Sequence, residues 1–282
     1  MKMIEKIREK IKAYKEMYYI WRKRPTATFQ EITDIWTKEP MLKKARKNAV
    51  DMLKRDQFMF NEVSNALLTG EIIRKTSKGK TESIVDILQR EDEKINEYTQ
   101  QIRREVMNYM ADNSAPNVEA SLVLTSLVID LERLGDQTKD LAKLTLISKP
   151  DFEKRTYMRD IEKQQRRIMG MFDKTITAFE NKDKEVAGEV MDDNVSLRNE
   201  TDVLLHTLST DKNIRGREML MYTLYIRFYR RAAAHLENIA SSVISPFPYL
   251  GFKSAPDVKL HKKRKKMSRI VKKKSKTAKS QS

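Results

Sequence analysis

The residues best placed to do chemistry lie in Ser121–Leu144, which reads SLVLTSLVIDLERLGDQTKDLAKL. At 100° per residue, Val123, Leu127, Leu134 and Leu141 form one apolar stripe. Val128, Glu132 and Asp136 form a second row roughly opposite it. A helix that is apolar on two sides belongs in the middle of a bundle, so Glu132 and Asp136 are expected to be partly shielded from water. Two shielded carboxylates one turn apart repel unless a cation, a proton or an arginine compensates. Asp92 and Asn96 make a second oxygen pair at i, i+4 on the preceding helical stretch. Antiparallel packing of the two stretches would set the pairs face to face. Four oxygen donors in a chain without cysteine suit Mg, Mn, Fe or Ca rather than zinc or copper. The competing account is plain ion pairing, in which Arg133 or Lys139 neutralises the acids without a metal. Gly135, between Leu134 and Asp136, costs about 1 kcal/mol inside a helix. Close approach by another helix or a ligand would explain it.

Other chemistry is poorly served. The sequence has no Gly-rich phosphate loop and no nucleophile–base pair, and His206, His235 and His261 stand in unrelated contexts. A di-metal carboxylate enzyme would want Glu-x-x-His pairs on facing helices, and none is present. Absence of cysteine removes disulfides, thiolate metal sites and cysteine nucleophiles. A non-enzyme is the expectation.

The elements that must position these residues are helices. Among 282 residues there are only 7 Gly and 7 Pro, against abundant Lys, Glu, Arg, Met and Leu. Helical periodicity runs from Phe29 to Ile244 with no convincing alternating strand. Breaks are expected at Pro40, Thr69-Gly70, Ser77–Lys80, Asn113–Pro116, Ser148–Pro150, Asn181–Asp183 and Asp211–Gly216. The stretches between them have the length of bundle helices.

An internal repeat divides the chain. Met59-Phe60 is echoed by Met171-Phe172, and Glu91-Asp92 through Asn96 by Met191-Asp192 through Ser196. Ile129 through Ala142 is echoed by Arg227 through Ala240. The fold class expected is therefore all-α, with two pseudo-symmetric three-helix bundles and no β-sheet. The expected segments are an N-terminal basic amphipathic extension (1–40), a first repeat (41–148), a second repeat (151–246) and a Lys-rich tail (253–282).

The net charge of +17 sits at the ends. Residues 1–24 carry +6, residues 253–282 carry +12, and the body between them is close to neutral. The tail is expected to be disordered, since it has almost nothing to bury. Ile4, Ile7, Ile11, Tyr14, Tyr18 and Trp21 recur at spacings of three and four, an apolar seam on a basic helix. Glu5, Glu9 and Glu16 interrupt its basic face, which favours packing over lying on a membrane. The basic ends invite attraction to an anionic membrane surface. Nucleic acid is the less favoured partner, because the body lacks an aromatic-basic reading surface. No apolar run approaches the roughly 20 residues of a membrane span, and no secretory h-region is visible. A cytoplasmic location, with peripheral attachment to the inner face of the membrane, is the expectation.

The stretch LERLGDQTKDLA at 131–142, preceded by Asp92–Asn96 and the Pro116 connection, closely resembles the PhoU family of phosphate-signalling regulators. The resemblance covers about residues 40–245 and implies the same two-bundle fold. It places the family's acidic motif on Glu132 and Asp136, with Asp92 and Asn96 as partners. It implies a cation held there, with Fe, Mn, Mg or Zn as candidates and the first half as the only site. It further implies a non-enzymatic regulator of phosphate uptake, partnered by a phosphate transporter or membrane sensor kinase and self-associating as a dimer. A variant of this reading is an accessory protein of a sodium/phosphate symporter. In the second half the motif is degenerate: Arg230 and Ala234 replace the acids, and Asp192 is followed by Ser196. Arg230 is expected to ion-pair with Asp192 or Asp193, and His235 to serve as a structural hydrogen-bonding residue.

Overall fold

A computed structural model of the chain describes residues 27–75, 81–146 and 157–251. The amphipathic seam at 4–21, the tail at 253–282 and the boundary at Ser148–Asp151 lie outside the described residues.

Seven α-helices make up the described residues: α1 Phe29–Lys38, α2 Pro40–Thr69, α3 Ile84–Asp112, α4 Val118–Lys143, α5 Met158–Asn181, α6 Lys184–Thr210 and α7 Gly216–Ile244. Their limits follow local chemistry. Thr28 and Glu31 form a capping box at the start of α1. Pro40 occupies the first turn of α2, where its missing N–H costs nothing. Gly70, at φ 74°, closes α2 in the left-handed region. Ser83, Asn117 and Asp183 cap the starts of α3, α4 and α6 with side-chain oxygens.

One expectation is corrected. Between α2 and α3 a two-stranded antiparallel ribbon forms, β1 Ile73–Lys75 paired with β2 Thr81–Ser83, with Ile73 opposite Ser83. Three residues a side are too few for alternation to show in the sequence.

Helices α2, α3, α4 and α5, α6, α7 form the two bundles, and α4 packs on α7 where they meet. One continuous core runs through both halves. Phe60 of α2 stacks on Phe172 of α5 and Tyr229 of α7, with ring centroids 5.7 and 5.5 Å away. Helix α1 bridges the halves. Trp36 is fully buried, donates Nε1–H to the Ala120 carbonyl at 3.0 Å, and lies 6.0 Å from the Phe179 ring of the second half. Full burial of such a side chain contributes roughly 1.5–3 kcal/mol or more.

The halves superpose position by position in their burial. On α2, the buried residues Ala49, Met52, Leu53, Asp56, Met59, Phe60 and Val63 correspond to Ile161, Gln164, Gln165, Ile168, Met171, Phe172 and Thr175 of α5. On α3, buried Leu88, Ile95, Thr99, Ile102 and Val106 correspond to Val190, Leu197, Thr201, Leu204 and Leu208 of α6. On α4, Leu127, Leu131, Leu134 and Leu141 correspond to Tyr225, Tyr229, Ala232 and Ile239 of α7. The middle pair corrects the repeat register: Asn194, not Asp192, is the counterpart of Asp92, and Arg198, not Ser196, that of Asn96. Matching acidic doublets aligned the sequences; the buried faces align the helices.

Candidate functional site: a carboxylate cage in the first half

Lys139 of α4 joins two of the expected residues. Its Nζ lies 2.8 Å from Asp92 Oδ1 on α3 and 2.9 Å from Asp136 Oδ1 on its own helix. Burial alone would lower the ammonium's pKa, but hydrogen bonds to Asp92 and Asp136, and their charge, raise it. Asn96 is exposed and donates Nδ2–H to Asp92 Oδ2 at 3.2 Å, which orients that carboxylate. Glu132 is half-buried one turn before Asp136 and takes no part in the bonds that join this group.

A third acid, Asp56 of α2, completes the cage. Its side chain is fully buried, and neither carboxylate oxygen has a hydrogen-bond partner. Burial first, then the charges of Asp92 and Asp136, hold its carboxyl well above its ordinary value of 3.8. Gly135 admits it. A Cβ at position 135 would stand 3.2 Å from Asp56 Oδ1 and 3.3 Å from Ile95 Cδ1. The glycine thus lets α4 close over the acid, the close approach expected of it. The search for i, i+4 acidic pairs passed over Asp56, which stands alone. Its signal was its phase, since it falls on the apolar stripe Met52, Met59 and Val63.

Among the described residues, no three His, Asp or Glu side chains converge closely enough to ligate one ion. The Lys139 ammonium lies between two of the three acids and supplies the positive charge there. The donor types are those a hard cation takes, carboxylates from three helices with one buried and both its oxygens unbonded, but as the helices pack these acids do not converge on one ion. An all-oxygen set suits Mg, Mn or Fe, and serves zinc less well. Val85, Leu88, Ala142 and Lys143 wall a cleft of about 300 Å³ that opens onto Asp92 and Lys139.

The second half has no such cage. Where the first half carries Asp56, Asp92 and Asp136, it carries Ile168, Asn194 and Ala234. The counterpart of Lys139 is Glu237, which is buried and accepts a short hydrogen bond from Asn194 Nδ2. Arg230 is ion-paired, but with Asp202 at 2.6 Å rather than Asp192 or Asp193. Asp193 binds Lys174 at 2.8 Å, and the exposed Ser196 hydroxyl donates to the Asp192 carbonyl at 3.0 Å. Arg227 and Arg231 are exposed, a solvated basic face. His235 is structural, as expected: its Nδ1 lies 2.8 Å from Asp130 Oδ1, which also accepts from Asn238 Nδ2 at 3.1 Å. These bonds tie α7 to α4 across the junction of the halves.

No curated protein matches the chain. Two solved structures resemble it: PhoU from Pseudomonas aeruginosa, at 22% identity and a TM-score of 0.63, over 74% of this chain and 96% of that one; and the phosphate transport system regulatory protein PhoU from Streptococcus pneumoniae, at 15% identity and a TM-score of 0.61, over 76% of this chain and 96% of that one. At these identities the likeness is one of fold. The PhoU domain model itself matches twice, over residues 49–145 and 161–243, one match to each bundle. With both halves accounted for, the chain belongs to the PhoU domain family.

Proposed function

We propose that the chain is a non-enzymatic regulator of phosphate uptake or phosphate signalling. It acts as a cytoplasmic adaptor that docks by its helix faces on a membrane phosphate transporter or sensor kinase. The observation that supports this reading most is the make-up of the candidate site: three carboxylates and an ammonium held by three helices. Such a set holds charge and fixes helices relative to one another. It offers no nucleophile and no base aligned on one. Among the described residues no helix is long and apolar enough to cross a membrane. Attachment to an anionic inner membrane face would then fall to the basic ends, at +6 and +12.

Co-purification of the full chain from cells grown at low and at high phosphate tests this. A phosphate-transporter subunit or sensor kinase should be recovered, in amounts that differ between the two conditions. Recovery of neither at either phosphate level would defeat the proposal.

A further inference from the structure

Helix α4 leaves an apolar stripe uncovered along its outer side. Val118, Leu122 and Ile129 are 50, 42 and 38% exposed. At 100° per residue the three fall within about 40° of one another around the helix. Val123, Leu127, Leu134 and Leu141 face the core from the opposite side. The chain enters the described residues beside this stripe. The Ala27 backbone N–H donates to Glu119 Oε2, in the first turn of α4, at 3.0 Å. The other oxygen of that carboxylate, Oε1, is buried without a hydrogen-bond partner. Residues 1–26 therefore meet α4 at Glu119, within a turn of Val118 and Leu122.

Those residues carry what the stripe lacks, the apolar seam Ile4, Ile7, Ile11, Tyr14, Tyr18 and Trp21. We propose that this seam docks antiparallel along α4 and covers Val118, Leu122 and Ile129. The direction follows from the attachment, which holds Trp21 near the first turn of α4 and carries Ile4 toward its last turns. The reach is sufficient. Arg22–Thr26 link Trp21 to Ala27 over up to about 20 Å. At the helical rise of 1.5 Å per residue the seam is about 26 Å long, against about 16 Å from Val118 to Ile129. The charges are complementary. Residues 1–24 carry +6, and α4 carries five acidic against three basic residues, a net of −2. A tethered segment also meets its own chain at roughly millimolar effective concentration, which favours it over a free partner of like affinity.

Trypsin digestion of the full chain tests this. Residues 1–24 contain nine Lys and Arg, so the rate of their loss, followed by mass spectrometry, reports the undocked fraction. The variants are Leu122→Asp/Ile129→Asp on the stripe and, as control, Val203→Asp, exposed on α6 of the second half. Loss should be about tenfold faster in the stripe variant, where carboxylates oppose an apolar seam, and unchanged in the control. Tyr14→Asp/Tyr18→Asp should give the same gain, and combining both sets should add nothing further. Should the stripe variant fail to fold by circular dichroism, Leu122→Gln/Ile129→Gln replaces it. Equal rates in wild type and the stripe variant overturn the proposal, as does an equal gain in the control. A wild-type dimer that the stripe substitutions convert to monomer in sedimentation velocity gives the stripe to a second copy and also overturns it. So does slow cleavage of the wild type seen only with phosphatidylserine vesicles, which gives the seam to the membrane.

Discussion

Asp56 stands at full burial without a hydrogen bond to either oxygen, a condition a folded protein rarely tolerates. Its removal should therefore stabilise the fold. Leaving a buried polar group unsatisfied costs about 1–3 kcal/mol, more when it is charged. Burial and the nearby Asp92 and Asp136 both work against its ionised form. Asp56→Asn keeps the shape, removes the acid, and supplies an amide able to donate toward those two carboxylates. The expected gain is about 2 kcal/mol, or a rise in Tm of roughly 4–8 °C at this size. Asp56→Ile installs the residue that the second half carries at the equivalent position, Ile168. It should move Tm in the same direction by less, because its extra bulk presses on Ile95 near Gly135. Thermal melts and urea unfolding at neutral pH, in buffer with a chelator, measure both. If Asp56→Asn and Asp56→Ile both melt below the wild type, the carboxyl stabilises the fold and the reasoning fails. A fall in the Ile variant alone would locate the cost in crowding.

Gly135→Ala should destabilise by about 1 kcal/mol net: helix propensity returns roughly 1 kcal/mol, but the new Cβ meets the buried side chains of Asp56 and Ile95 at 3.2 and 3.3 Å, tighter than ordinary contact. A variant melting above the wild type would contradict this. Glu200 links α5 to α6. Burial raises its pKa, but hydrogen bonds from Lys163, Gln164 and Arg167, and the Arg167 charge, outweigh that and pull it down to about 2. A depressed folded-state pKa contributes stability above the ordinary value of 4.5, and that contribution is lost as pH falls toward 2. Glu200→Gln should thus be less stable at neutral pH by about 1 kcal/mol, allowing for solvent screening. The difference from wild type should shrink between pH 4.5 and 2 in pH-dependent urea melts, and a constant difference would refute the assignment.

The helices were legible because their punctuation is local. Pro40, Gly70, Asn117 and Asp183 end or begin helices through their own φ preference or side-chain oxygen, with no help from tertiary contacts. The acids at 92 and 136 were legible because residues four apart share a helix face. Which cation meets them, Arg133, Lys139 or a metal, depends on how α3 and α4 cross, which residue spacing does not state. The structure settles the protein's own share of that choice on Lys139. Asp56 was hidden for the opposite reason. A single acid on an apolar stripe resembles an ordinary interruption until Gly135 is seen against it from another helix. The register of α3 on α6 differs from the sequence match because Asp92-Glu93 and Asp192-Asp193 are similar strings on different faces. The buried faces fix the register, with Ile95 matching Leu197 and Thr99 matching Thr201.

The cage brings three departures from ordinary helix packing to one point. An acid occupies a buried stripe of α2, a glycine sits mid-helix in α4, and an aspartate on α3 shares one lysine with another on α4. Each is costly or neutral for folding when taken alone. The three lie on separate helices and meet at one point. At the equivalent point of the second half Ile168 fills the stripe, Ala233 replaces the glycine, and a buried Asn194 bonds a buried Glu237 across the helices. The same scaffold can therefore be built without the strain, and this chain builds it so once. The meeting of the three departures at one point argues that the cage is kept for the charge it holds.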